Sequence, residues 1–347
     1  MRVHNPDSGR GRRQRLRSFL QRRLGRHGLM LAVWAFALPA LAFDLQGHRG
    51  ARGLAPENTL PAFERALDLG VTTLELDVGV TADGTVVIAH DPYLNPAITR
   101  DAAGHWLPGN RGPLLKWLTL AQLQTYDVGR INPATPYGST FATQQPQDGT
   151  RVPTLAALFA LVRQRGADSV RFNIETKISP LAPDDTVNPE VMANALLNVV
   201  REAGMLSRVS IQSFDWRTLQ IVQGTEPSVP TVYLTIQTAN NDNVRDPAWT
   251  AGFRLGEHGS VPKLVRAAGG SVWSPNGGAL TQALVQEARA LGLKVIPWTI
   301  NIPTDMQRLL DWGVDGIITD YPDRLRAVLQ QRGLPLPPPA PAALTRR

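Results

Sequence analysis

The 347-residue sequence contains no cysteine. This absence excludes disulfide bonds, thiolate metal ligands and a cysteine nucleophile. It also excludes a lipid anchor attached to an amino-terminal cysteine. The classes of protein that depend on a thiol are therefore ruled out.

Long apolar runs are also lacking. The apolar run 29–42 is shorter than the ~20 residues that a transmembrane helix needs. It follows a segment, residues 1–27, with nine arginines and one acidic residue, and it ends in the small-x-small sequence Ala40-Leu41-Ala42. This order is typical of a secretory signal peptide. We therefore expect residues 1–42 to be a signal peptide that is cleaved near Ala42.

Two points about this amino-terminal segment stay open. A retained membrane anchor is the alternative to cleavage, although Asp44 follows the apolar run at once and the run is short for a span. The pairs Arg12-Arg13 and Arg22-Arg23 leave the choice between general secretion and twin-arginine export undecided. By either route we expect an exported, periplasmic protein that has no stable membrane anchor after cleavage.

An excess of positive charge is missing from the rest of the chain. The formal net charge is +7, but removal of residues 1–27 leaves 27 basic and 28 acidic residues. The excess of basic residues thus lies in residues 1–27, where the predicted signal peptide accounts for it. No whole-domain argument for nucleic-acid binding remains.

Strand-like and helix-like patterns alternate from residue 44 onward, which is typical of βα units. Eight strands and the amphipathic stretches between them predict an α/β protein, a (β/α)8 TIM barrel over residues 43–333. An open doubly wound sheet is the alternative, but the sequence has no glycine-rich dinucleotide fingerprint to support it. The predicted strands are 45–49, 73–80, 170–175, 209–213, 231–236, 271–274, 294–298 and 316–319.

Two segments depart from this alternation. Residues 92–151, after the second strand, are rich in Pro, Gly, Asn and Gln and predict an insertion with little regular structure. Residues 334–347 are rich in proline and predict a disordered tail.

The most informative stretch is 46–90. His48 and Arg49 follow the first strand, and the carboxyl ends of barrel strands commonly carry catalytic groups. Glu75 and Asp77 are two residues apart in the second strand, so the period of a strand places both carboxylates on one face. Such a pair is unfavourable on an inner face unless a cation or a proton intervenes. After a predicted hairpin, His90 returns toward the same end of the barrel.

Several short sequences carry a family resemblance. They are HRG at 48–50, PENT at 56–59, ExD at 75–77, HD at 90–91, NIETK at 173–177, WTIN at 298–301 and DGIITDYP at 315–322. In this order and at these spacings they resemble the glycerophosphodiester phosphodiesterases, a family of metal-dependent TIM barrels. The resemblance implies that the 92–151 insertion caps the mouth of the barrel.

The resemblance also implies a metal site that works on a small-molecule glycerophosphodiester. Glu75, Asp77 and Glu175 would supply the hard oxygen ligands that suit Ca²⁺ or Mg²⁺. Arg49 and Lys177 would neutralise the phosphate. Salt-bridge pairing is the alternative role for all of these charged groups.

The remaining candidates concern proton transfer and support. His48 and His90 are expected to be the acid and base, because imidazole titrates nearest neutral pH; metal ligation is the alternative for either. Glu57 and Asn58 are expected to contact the metal ligands rather than the metal, or simply to begin a helix. Trp298 is expected either to form an apolar wall for the glycerol moiety or to pack in the barrel.

Two other functions remain open. A phospholipase D-like, lipid-cleaving enzyme would share the HRG and ExD sequences and would need an exposed apolar loop, for which Trp106 and Trp117 are candidates. A catalytically silent phosphate-ester-binding protein is the other alternative, although both histidines and all three acids are present.

Overall fold

The structure is a computed structural model that describes Met1 and residues 43–342. Residues 2–42 of the predicted signal peptide and the last five residues of the predicted tail lie outside the described part. Within it, the strands are β1 Asp44–Gly47, β2 Thr73–Val80, β3 Val86–Ile88, β4 Arg171–Thr176, β5 Val209–Ser213, β6 Thr231–Thr235, β7 Val272–Pro275, β8 Lys294–Val295 and β9 Gly316–Thr319.

The α-helices of residues 43–342 mostly follow the strands. They are α1 Leu60–Leu69, α2 Leu120–Leu123, α3 Pro136–Thr140, α4 Leu155–Gln164, α5 Pro189–Glu202, α6 Trp216–Thr225, α7 Leu255–His258, α8 Val261–Ala267, α9 Gln282–Ala290, α10 Pro303–Trp312 and α11 Pro322–Gln331. None of the described helices is long and apolar enough to cross a membrane.

Eight of the strands form the predicted barrel. Their order is β8-β7-β6-β5-β4-β2-β1-β9, all parallel, and β3 pairs antiparallel with β2 outside this path. The ring closes between β8 and β9, where Asp315 N donates to Val295 O at 2.9 Å and Ile318 N donates to Pro297 O at 3.0 Å. The predicted TIM barrel is therefore confirmed.

The inside of the barrel is divided between apolar and polar layers. Val232, Val272, Ile296 and Ile318 form a buried apolar cluster. Near the carboxyl ends of the strands, the side chains are polar and satisfy one another. The Asn173 amide, for example, donates to Gln46 at 3.0 Å and to Gln212 at 2.9 Å. The outer faces pack against the helices and supply most of the apolar core.

The insertion 92–151 has its own small core. Leu94, Leu115, Leu123 and Val128 are buried with Val87 of β3. The short helices α2 and α3 are preceded by Thr119 and Thr135, whose hydroxyls cap the first turn. The segment is therefore packed onto the hairpin, with more local structure than its composition predicts.

The first part of the predicted disordered tail is packed against the barrel. Ala340 N donates to Leu67 O at 2.9 Å, and Arg326 bridges the carbonyls of Gly70 and Pro337 at 2.7 Å each. Leu336 also packs on the apolar core. For residues 334–342 the expectation of disorder is thus wrong: proline lowered the local propensity for helix and strand, but tertiary contacts order the segment.

Candidate active site

A sharp loop after β1 places the first two candidate residues. Arg49 has a φ of 50° and Asn58 a φ of 55°, values that non-glycine residues rarely adopt. Between them Gly50 has a φ of 85°, and a Cβ there would lie 2.6 Å from the Ala62 carbonyl carbon. The loop is therefore held tightly over α1, and it turns the His48 and Arg49 side chains into the mouth of the barrel.

Three carboxylates meet beneath this loop. Glu75 and Asp77 lie on the same face of β2, and Asp77 pairs in register with Glu175 of β4. One oxygen from each of the three lies within 4.8 Å of the others, and all three residues are buried. The predicted strand period thus brings the acids together as a group that could hold a cation.

The charges of this group favour a cation. Burial and then the neighbouring Asp77 charge raise the pKa of Glu75 well above its usual value. Burial also raises the pKa of Glu175 to about 7, although Lys177 opposes this shift. For Asp77, burial is outweighed by His90, Arg49 and Lys177, so its pKa is lowered. Two of the three carboxyls therefore resist ionisation, and a divalent ion with oxygen ligands would relieve that repulsion.

We expect metal affinity to rise as the pH increases through about 7, because Glu175, and Glu75 with its raised pKa, must lose a proton to act as ligands. The raised pKa also means that, without metal, the stability from the protonated Glu175 is present at acidic pH and lost as pH rises through about 7. Calorimetric titration with Ca²⁺ and with Mg²⁺ across this range, in the wild type and a Glu64→Gln control, checks the expectation. Equal affinity at all pH values would contradict it.

Arg49 contacts two of the three acids and also Glu57. Its backbone N donates to Glu75 at 2.8 Å, Nη1 contacts Glu57 at 2.6 Å, and Nε lies 3.3 Å from Asp77. The Asn58 amide donates to Asp77 at 2.9 Å. Asn58 thus contacts the candidate metal ligand Asp77 directly, whereas Glu57 reaches the group through Arg49, and a role for either residue in supporting a metal stays a prediction.

Lys177 lies at the edge of the same group. Its Nζ is 2.8 Å from Glu175 and 3.8 Å from Asp77. Both carboxylates raise the pKa of this lysine against the effect of burial. Lys177 and Arg49 therefore stay charged, and both flank the place where an anionic substrate would meet the carboxylates.

His48 is oriented by a residue from the far end of the chain. Its Nδ1 lies 2.6 Å from Asp320, which follows β9, and Nε2 lies 3.9 Å from Glu75. Asp320 in turn accepts from Arg52 at 2.8 Å and from Asn301 at 2.7 Å. Burial and the Arg52 charge lower the pKa of His48 to about 4. The ring is therefore neutral near pH 7, with Nε2 directed toward the acids.

His90 has a similar partner and is more open. Its Nδ1 lies 3.1 Å from Asp91, which also accepts from Asn95 at 2.8 Å. The side chain is 31% exposed, and partial burial of the ring, together with the Arg49 and Lys177 charges, lowers its pKa. The two histidines thus lie at the same mouth, each with one nitrogen held by a carboxylate.

A cavity of about 150 Å³ connects these groups. Both histidines, Glu175 and Lys177 line it, with Trp298 on the apolar side. The Trp298 indole donates to Ser274 O at 3.0 Å and meets the Phe214 ring edge-on at 5.3 Å. Trp298 therefore lines the cavity and also packs within the barrel, and its contact with a glycerol moiety stays a prediction.

Sequence reasoning missed several residues of this site. Asp320 and Arg52 orient His48, and Gln212 donates to Glu75 at 2.6 Å. Tyr137 of α3 donates to Glu57 and lies 3.3 Å from Arg52. A polar residue directly after the last strand could have indicated Asp320. The pattern of the insertion gives no comparable indication for Tyr137, which reaches the site only through the fold.

A TIM barrel with three carboxylates, two histidines and two cations at the carboxyl ends of its strands has the features of a metal-dependent phosphodiesterase site. The comparisons with known proteins agree. The sequence profile described as the glycerophosphoryl diester phosphodiesterase family matches residues 48–324. The chain belongs to this family and is a glycerophosphodiester phosphodiesterase.

Individual relatives cover most of the chain. A glycerophosphodiester phosphodiesterase from Bacillus subtilis is 32% identical over 286 residues, 81% of this chain and 84% of that protein. A crystal structure from Silicibacter pomeroyi, described as a glycerophosphoryl diester phosphodiesterase, is 38% identical and covers 85% of this chain and 95% of its own, with a TM-score of 0.76. An Oleispira antarctica phosphodiesterase in complex with the product sn-glycerol-3-phosphate shares the fold at 22% identity, with a TM-score of 0.61; the match covers 83% of this chain and 96% of that one.

Proposed function

We propose that the protein hydrolyses glycerophosphodiesters to sn-glycerol 3-phosphate and a free alcohol, with a divalent cation, Ca²⁺ or Mg²⁺, held by Glu75, Asp77 and Glu175. The buried carboxylate group carries this proposal, since three acids within 4.8 Å need a counter-charge. The Oleispira relative was crystallised with this product, which supports the choice. The cation would offset charge on the phosphoryl oxygens.

The side chains around the carboxylates suit a substrate phosphate. Arg49 and Lys177 stay positively charged at the edge of the cavity, so they would hold the phosphate against the carboxylate group. His48 and His90 would transfer the protons, each through the nitrogen that its carboxylate partner leaves free. Asp320 and Asp91 would fix the tautomer of each ring.

We further propose that a hydroxyl of the substrate's own glycerol attacks phosphorus. One imidazole would accept the proton of that hydroxyl while the other protonates the leaving alcohol. The roles would reverse when water opens the resulting cyclic phosphate. This route needs no protein nucleophile, and the described cavity is lined by histidines, acids and cations rather than by an activated serine.

The test uses a panel of soluble glycerophosphodiesters, with and without chelator. We expect release of glycerol 3-phosphate, loss of activity with chelator, and no turnover of an analogue that lacks the neighbouring hydroxyl. Normal turnover of that analogue would exclude the cyclic route. Hydrolysis of micellar lipids in preference to soluble diesters would favour the lipid-cleaving alternative, for which Trp117, 68% exposed in the insertion, is one candidate apolar contact.

The place of action is also a proposal. The arginine-rich start and the apolar run 29–42 support export to the periplasm. Fractionation of cells that express the full chain, with amino-terminal sequencing of the mature protein, tests it. A protein that keeps residues 1–42 and stays in the cytoplasm would contradict the proposal.

A further inference from the structure

A second cavity, of about 260 Å³, opens beside the catalytic one. The two cavities share Glu175, Lys177 and Phe214 as lining residues. Glu175 and Lys177 form one edge of the carboxylate group, and Phe214 contributes an aromatic ring. A phosphate bound by Lys177 and Arg49 would therefore lie at the junction, with one cavity on either side.

The walls of the second cavity are largely apolar. Ile178, Ile236 and Trp249 face it together with Phe214, and Ile178 is only 8% exposed. Two acidic residues line it, and both are paired: Glu175 lies 2.8 Å from Lys177, and Asp185 lies 2.6 Å from Arg111. The cavity thus presents apolar surface rather than an available charge.

The cavity is built by contacts from three parts of the chain. Besides the Arg111 pair, Lys116 of the insertion donates to Thr186 O at 3.2 Å. Opposite, the Asn243 amide donates to Phe214 O and Leu234 O at 3.3 Å each and accepts from Ile236 N at 2.8 Å. The insertion therefore braces the loop between β4 and α5 that forms one wall, and the shape exists before a ligand binds.

We propose that this cavity is the subsite for the alcohol part of the diester and that it selects alcohols with apolar surface. The assignment rests on the proposed function and extends it to the choice of substrate. A diester has two substituents on one phosphate. The polar cavity with His48, Gln212 and Trp298 suits the glycerol, which leaves the second cavity for the other substituent.

The chemistry of the walls predicts a rank order. Choline and ethanolamine both carry a positive charge, but the three methyl groups of choline offer apolar surface, whereas the primary ammonium of ethanolamine is strongly hydrated. Burial against Ile178 and Trp249 thus favours choline. Because the cationic Lys177 lies at the junction, the positive charge of choline should not increase kcat/KM. The neutral isostere 3,3-dimethylbutanol should serve at least as well as choline.

The experiment measures kcat/KM for the glycerophosphodiesters of these three alcohols with the metal-loaded enzyme. We expect the choline and dimethylbutyl diesters to exceed the ethanolamine diester by about 10-fold or more, the scale of apolar discrimination in such pockets. Equal values for all three, or a choline diester far better than its neutral isostere, would overturn the assignment. Failure to hydrolyse any of them would overturn the proposed function and the assignment with it.

Variants test whether the second cavity causes the preference for choline. Ala182 lines the cavity, so Ala182→Phe should fill it and reduce the preference for choline over ethanolamine about 10-fold or more. The neighbouring Leu181 is 68% exposed and does not line the cavity, so Leu181→Phe is the matched control and should keep the wild-type preference. Trp249→Ala removes a wall instead of filling the space, and it should lower the same ratio. An unchanged ratio in both cavity variants, with ethanolamine diester still hydrolysed, would overturn the assignment.

Discussion

The Glu75→Gln variant is expected to lose about 10³-fold or more in kcat/KM, because the metal supplies several kcal/mol of charge stabilisation in such sites. The substitution keeps the shape of the side chain. It removes one charge from a group whose Glu75 oxygens also accept from Gln212 and the Arg49 backbone. Metal titration by calorimetry and turnover of glycerophosphocholine are the two measurements.

Both measurements should change together. The control is Glu64→Gln on α1, which removes a carboxylate outside the cavity and should leave both values near wild type. Wild-type activity that persists in full after treatment with chelator would show that the carboxylates share a proton instead of a cation. Weak metal binding with normal turnover in Glu75→Gln would show that turnover does not depend on the cation.

The second large effect is expected for the histidines. His48→Ala and His90→Ala should each lower kcat by about 10²- to 10⁴-fold, the range for loss of a general acid or base. Metal affinity should change little, since neither ring belongs to the carboxylate group. The double variant should lose less than the product of the two single losses if the rings act as a unit.

A substrate with a nitrophenyl leaving group assigns the two roles. Its departure needs no proton, so it should restore activity selectively to the variant that lacks the acid. Rescue of both variants, or of neither, would argue against a division of roles. A large loss of metal affinity in either single variant would instead favour metal ligation by that histidine.

Much of the fold was predictable because hydrophobic periodicity and turn residues determine where its strands lie. The eight barrel strands lie within a few residues of their predicted ranges, since each combines a short apolar run with flanking turn residues. Helix α6 has a weaker local signal than the other long helices. Its sequence, WRTLQIVQGT, contains Gly224 and several β-branched residues, which are poor helix formers, and its buried Trp216 and Leu219 stabilise it through tertiary packing.

The candidate site was predictable where local spacing determines it. The two acids of β2 and both histidines reach the same mouth because strand period and strand direction place them there. The partners of these residues were not predictable in this way. Asp320 is 272 positions from His48, and Tyr137 is 80 positions from Glu57. Such pairs depend on how the barrel closes and on how the insertion folds back, which no short-range pattern contains.

The pairing of β1 with β9 has a consequence for the order of events in biosynthesis. His48 is made early, but its carboxylate partner follows the final strand of the barrel, which lies beside β1. Synthesis proceeds from the amino terminus, so a partly synthesised chain holds both histidines and all three acids without the group that orients His48. The catalytic arrangement is therefore completed late, when the last strand has closed the ring.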